Sequence, residues 1–152
     1  MLVAFVRLRF AGVPSITTAE LAAWMGDLSR ARPVLLDARQ VEEFAVSHLP
    51  GAVRVDPRGR GLEGVEGAGP GDPVVVYCSA GYRSAAVARR LIKSGAQPVW
   101  NLEGSIFAWA NEGRPLEAGG MPAGVVHSFN RAGELLLRRG LAVRGGRRRG
   151  GV

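Results

Sequence analysis

Cys78 is the single cysteine of this chain, and it is followed by Ser79, Ala80, Gly81, Tyr82, Arg83 and Ser84. A cysteine held as its thiolate is a strong nucleophile towards soft centres such as sulfur. The apolar run at 73–77 (Pro-Val-Val-Val-Tyr) reads as a buried strand, and residues 84–94 read as a helix. Residues 78–83 are therefore a tight loop joining a strand's carboxyl end to a helix head. In open α/β sheets that end carries the binding crevice. The helix head adds unpaired N–H groups and the positive end of a dipole, both suited to an anion. Arg83 adds a fixed positive charge beside it. Gly81 allows a backbone turn that a Cβ would obstruct. The sequence places a nucleophile at this loop.

A lone cysteine is more often a small, inert hydrophobe. Its place in a strand-to-helix loop beside Gly81 and Arg83 argues for the reactive use. One cysteine excludes an internal disulfide and any cysteine-based zinc site. It also removes a resolving partner, so an oxidised Cys78 must be relieved by an external thiol or acceptor. That usage suits a reducing compartment and a cytoplasmic setting.

The elements that must position this loop are legible as alternating strands and helices. Thr17 and Glu20 have capping-box spacing, and Leu21, Trp24, Met25 and Leu28 then recur at helical intervals. Residues 34–36 read as a short buried strand running into Asp37, Ala38 and Arg39. A short helix over 41–45, a strand over 52–55 and a Gly- and Pro-rich loop over 56–72 follow, with one poor helical turn at 62–65. Beyond the Cys78 loop, Ser84, Val87, Ala88, Leu91 and Ile92 share a helix face, and Gly95 is a stop. A strand over 99–102 and a helical turn over 106–111, with Trp109 turned inward, complete the pattern. Such alternation implies an α/β fold: an open, mainly parallel sheet with helices on both faces.

The chain of 152 residues suffices for one domain with surplus at its ends. The organisation expected is an N-terminal extension over 1–14 (an added strand or a loose segment), a domain over 15–117, and a basic, Gly/Arg-rich appendage over 118–152, partly disordered. A helix over 131–139 is expected within that appendage. The net charge of +7 concentrates there, and such a tail could engage an anionic partner weakly by charge alone; a solvated end is the plainer reading. The opening apolar stretch is broken by Arg7 and Arg9, lacks the order of a secretion signal and is too short to span a membrane.

Four segments together carry a family resemblance. Leu36-Asp37-Ala38-Arg39 with Glu43-Phe44 and His48-Leu49-Pro50-Gly51-Ala52 comes first, then Val75-Val76-Tyr77-Cys78-Ser79-Ala80-Gly81-Tyr82-Arg83-Ser84, then Asn101-Leu102-Glu103-Gly104, and last Ala108-Trp109. Over about 15–117 the chain resembles a single-domain rhodanese, a sulfurtransferase module. The resemblance implies that Cys78 takes a sulfane sulfur from a small donor such as thiosulfate or a persulfide. It then passes the sulfur to a thiol, cyanide or protein acceptor, with no cofactor and no metal. It implies that residues 79–84 form the anion cradle, with Arg83 holding an oxyanion in two-pronged geometry. Asp37 is expected to cap or pair at the strand end, and Arg39, Glu43 and His48 to form one supporting network. Tyr82 is expected at the rim. Ser105 departs from a usual second glycine, a change expected to leave the chemistry untouched. Phosphatases of related folds place one more residue between cysteine and arginine, so phosphatase or arsenate chemistry ranks below sulfur transfer. The alternative is a non-catalytic binding or regulatory module of the same fold, using its basic tail.

Overall fold

The computed structural model describes residues 1–62, 65, 69–96 and 98–144. Its centre is a parallel sheet of five strands: β1 (Ser15–Ile16), β2 (Val34–Asp37), β3 (Val53–Arg54), β4 (Val74–Tyr77) and β5 (Val99–Leu102). They lie side by side in the order β1-β5-β4-β2-β3. The middle strand β4 is buried along its whole length. Val75 and Tyr77 face one core, Val74 and Val76 the other. Burial on both faces is why this strand reads as an unbroken apolar run rather than an alternating one.

Helices cover both faces, as the alternating pattern implies. On one side α2 (Thr18–Gly26) and α5 (Ser105–Asn111) contribute Leu21, Trp24, Ile106, Phe107 and Trp109. Both buried indoles find carbonyl acceptors, Trp24 at Ala31 (2.9 Å) and Trp109 at Pro115 (2.7 Å). On the other side α4 (Tyr82–Lys93) buries Ala85, Val87, Ala88 and Leu91. The local signals act as expected. Thr17 accepts from the Glu20 N–H while the Thr17 N–H donates to the Glu20 carboxylate, closing the capping box of α2. Gly95 (φ +96°) ends α4: its N–H donates to Ile92 O and that of Ala96 to Leu91 O, the paired bonds of a Schellman stop.

Three expectations are revised. Residues 2–9 form helix α1 (Leu2–Arg9) rather than a strand or a loose segment. Val6, Phe10 and Val13, spaced by a helical turn, pack into the α4-side core. Ser15 and Ile16, at the expected start of the domain and given no element of their own, are an edge strand paired with β5. The helix expected over 131–139 ends at Leu136.

Past α5 the chain continues as a hairpin of β6 (Leu116–Ala118) and β7 (Met121–Ala123). A parallel pair, β8 (Val126–His127) with β9 (Ala142–Val143), follows, with α6 (Arg131–Leu136) between its strands. Val126 and Leu137 enter the same core as Trp24 and Trp109. The helical turn expected at 62–65 and the tail over 145–152 lie outside the described residues. Among the described residues no helix is long and apolar enough to cross a membrane.

At the carboxyl end of β2 the chain buries a charged pair. Asp37 and Arg39 are both fully inaccessible. Arg39 Nε donates to Asp37 Oδ1 at 2.9 Å and Nη2 to Oδ2 at 2.7 Å, and Nη2 also reaches Ser47 O at 2.6 Å. The fork ties β2 to the turn after the short helix α3 (Val41–Val46). Removing one member leaves an uncompensated buried charge, which costs several kcal/mol. Arg39→Ala is therefore expected to lower the unfolding free energy by about 3–5 kcal/mol. Urea denaturation followed by circular dichroism checks this, and a loss below about 1 kcal/mol would refute the assigned role.

Candidate active site

Residues 78–81 leave β4 and enter α4 with no side-chain cap on the helix head. The N-cap residue is Gly81, at φ +112°. A glycine there leaves the first-turn N–H groups of α4 unshielded by a side chain. Cys78 is 2% exposed. Its Sγ accepts from the Gly81 N–H at 3.1 Å and lies 3.4 Å from Ser84 Oγ. The sulfur thus sits at a helix head among polar groups, not against aliphatic side chains alone.

Arg83, expected to hold an oxyanion, is paired with Glu43. Its Nη1 and Nη2 donate to the two oxygens of Glu43, each at 2.8 Å, and Nη2 also donates to Ser79 Oγ at 2.8 Å. The two prongs expected to hold an oxyanion are engaged by a carboxylate of α3. Glu43 itself is 2% exposed and also accepts from Ser79 Oγ at 3.1 Å and the Gln40 N–H at 2.8 Å. Burial opposes its charge. The Arg83 hydrogen bonds, the Gln40 N–H and the charges of Arg83 and Arg39 outweigh that and hold the carboxyl below its ordinary range. Arg83 is likewise disfavoured as a cation by burial, yet Glu43 and the Cys78 sulfur keep it charged.

The supporting residues divide rather than forming one network. Glu43 belongs to the loop, while Arg39 pairs with Asp37. Behind that pair Tyr77 is pushed up by burial and by the Asp37 charge, so it stays neutral and accepts the Leu49 N–H at 3.0 Å. His48 lies apart from both pairs. Its ring stacks on Phe44 (centroids 3.9 Å), Nδ1 donates to Phe44 O at 3.0 Å, and Nε2 faces Glu117 at 3.5 Å. Tyr82 turns to α1, stacking on Phe5 (6.3 Å) and meeting Phe10 edge-on (5.2 Å).

Three residues join the loop without having been picked out for it. Ser105 is fully buried at φ +50°, and its Oγ accepts the Cys78 N–H at 3.1 Å while donating to Leu102 O at 3.0 Å. The positive φ explains why a glycine suits this position, and the hydroxyl makes Ser105 a direct anchor of the cysteine. Asn101 bridges Ser84 Oγ (2.6 Å) and Gly81 O (3.0 Å). Phe129, also at positive φ (+67°), lays its ring 4.7 Å from the Arg83 guanidinium carbon. Its turn is braced by Gly133, where a Cβ would stand 1.9 Å from Ser128 O. Among the described residues no group of three or more His, Cys, Asp or Glu could hold a metal ion.

Comparison with known proteins agrees with this geometry. The model of the rhodanese-like domain matches residues 17–112. Thiosulfate sulfurtransferase 16, a chloroplastic protein of Arabidopsis thaliana, is 32% identical over 117 residues, covering 70% of this chain and 95% of that protein. A rhodanese-like domain protein from Staphylococcus aureus superposes with a TM-score of 0.60 at 29% identity, covering 71% of this chain and all of that one. A Rhodopseudomonas palustris protein of unknown function, described as a possible tyrosine phosphatase, gives a TM-score of 0.60 at 25% identity over 77% of this chain and 94% of its own. The match over most of the sheet and the full Cys78 loop places the chain in the rhodanese-like family.

Proposed function

We propose that this protein is a sulfurtransferase that carries sulfur as a persulfide on Cys78. The observation that carries the reading is the Gly81 N–H pointed at the Cys78 Sγ, 3.1 Å away, at an uncapped helix head. A donor such as thiosulfate presents an electrophilic outer sulfur. Cys78 Sγ attacks it, the S–S bond of the donor breaks, and sulfite departs with the bonding pair. The new persulfide bears its charge on the terminal sulfur, and main-chain N–H groups of the loop stabilise that charge. An acceptor nucleophile then takes the terminal sulfur, and the electron pair of the broken bond returns to Sγ. A free thiol of this kind persists in a reducing compartment, which fits a cytoplasmic protein.

The relative named for thiosulfate sulfurtransferase supports this reading, and two features rank phosphate chemistry below it. Four residues separate Cys78 from Arg83, giving a ring scaled to one sulfur rather than a tetrahedral oxyanion. Both prongs of Arg83 are also engaged by Glu43. Arg83 in this reading shapes the loop and sets its potential, rather than gripping the substrate.

Incubation with thiosulfate and cyanide is expected to yield thiocyanate, with intact mass spectrometry showing one added sulfur atom. Both signals should vanish in Cys78→Ser. A wild-type thiol left unmodified by thiosulfate, organic persulfides and polysulfide alike would refute the proposal.

Glu43 generates a second expectation. Its folded-state carboxyl titrates below the ordinary value of 4.5, so the stability it contributes is complete above that value and is lost as pH falls below it. Glu43→Gln should flatten that part of the acid limb of the stability curve and lower sulfur transfer at neutral pH by about tenfold or more, through a loosened loop. Urea midpoints across the acid range, with the thiocyanate assay at neutral pH, check both. An unchanged acid limb would exclude the pairing as its source.

A further inference from the structure

The contact between Cys78 Sγ and Ser84 Oγ, 3.4 Å, can carry a hydrogen in either direction. A serine at that place could donate to the thiolate, or it could accept from the thiol. The amide of Asn101, on β5 and 3% exposed, decides between them. One end of that amide lies 3.0 Å from Gly81 O and the other 2.6 Å from Ser84 Oγ. A backbone carbonyl can only accept, so the NH2 faces Gly81 and Oδ1 faces Ser84. Oδ1 can only accept in turn, and 2.6 Å is a short O–H···O bond. The single hydrogen of the Ser84 hydroxyl is therefore spent on Asn101. What Ser84 offers the sulfur is a lone pair.

We propose that Asn101 is a positioning residue that turns the Ser84 hydroxyl away from Cys78, so that Ser84 accepts a hydrogen bond from the resting thiol and gives none to the thiolate while Asn101 holds it. The inference rests on the reading of Cys78 as the nucleophile. When the thiol ionises its proton leaves to solvent, and the sulfur can gain the Ser84 hydrogen bond only if that hydroxyl lets go of Asn101. Asn101 Oδ1 would then be a buried acceptor with no donor, a state that costs free energy. Asn101 thus biases the loop towards the protonated resting form and leaves stabilisation of the anion to main-chain N–H groups. The charged groups around the loop are Arg83 of α4 with Glu43 of α3, Asp37 at the end of β2 with Arg39 just beyond it, and Glu103 of the β5–α5 turn, which pairs with Arg7 of α1. None of them is altered by the substitutions below.

The test is the pH dependence of Cys78 alkylation by iodoacetamide, which reports on one thiol because the chain has one cysteine. Asn101→Ala frees the Ser84 hydroxyl, and the midpoint of alkylation should fall by about one pH unit, a tenfold gain in thiolate over thiol. That fall should disappear in the double variant Ser84→Ala/Asn101→Ala. Ser84→Ala alone should leave the midpoint in place or lower it. A rise of about one unit in Ser84→Ala would show that Ser84 donates to the thiolate and would overturn the proposal. So would an Asn101→Ala shift of equal size with and without Ser84. If Asn101→Ala does not fold, as judged by circular dichroism, the Ser84→Ala result alone decides. Alkylation needs no sulfur donor, so a protein that alkylates as described yet never accepts sulfur would count against the proposed transfer reaction and not against this role of Asn101.

Discussion

Glu43 is a carboxylate taken out of water, and much of the structure around Cys78 follows from its need for partners. A buried charge is tolerated only when it is paired and fully hydrogen-bonded. Glu43 meets that demand with the Gln40 N–H at the cap of its own helix and with Ser79 and Arg83 of the Cys78 loop. The pairing fixes α3 against the head of α4 and pulls Ser79 into place between them. These bonds hold the loop in its curved course between β4 and α4. A second buried pair, Asp37 with Arg39, stands behind the first and holds the end of β2.

With its arginine so engaged, the loop presents a main-chain donor, the Gly81 N–H, to the Cys78 sulfur. Amide hydrogens are rigid, carry no net charge and need no side-chain ordering when a charge develops near them. In the proposed transfer reaction the fixed Gly81 N–H, 3.1 Å from the Cys78 sulfur, meets the anion in place of a cation. Ser105 serves the same end from beneath: by accepting the Cys78 N–H it fixes the backbone from which the thiol projects. A serine at positive φ is a strained choice, and here its hydroxyl bonds on both sides offset that strain.

What could be read from the sequence was what nearby residues determine. The capping box at Thr17 and Glu20, the glycine stop at Gly95 and the strand–loop–helix around Cys78 all rest on contacts within a few residues. The choice of partner for Arg83 was hidden because Glu43 lies 40 positions away and the local sequence offers the guanidinium to any anion. Separation along the chain likewise hid Phe129, whose ring meets Arg83 from a segment that gave no compositional hint of packing. Helix α1 was obscured by the apolar residues on its open side. Leu2, Phe5 and Leu8 are exposed, and together with the buried Val6 they blur the one-sided pattern that marks an amphipathic helix.

The segment after α5 has a consequence for where this molecule can be cut. The match to the family model ends at residue 112, yet Val126 and Leu137 belong to the same buried cluster as Trp24 and Trp109, and Ser47 Oγ donates to Val125 O at 2.6 Å. A fragment trimmed to the shared region would open a hole in its larger core and strand a hydroxyl beside the buried arginine. In this protein the packed core reaches past the segment that the family model matches.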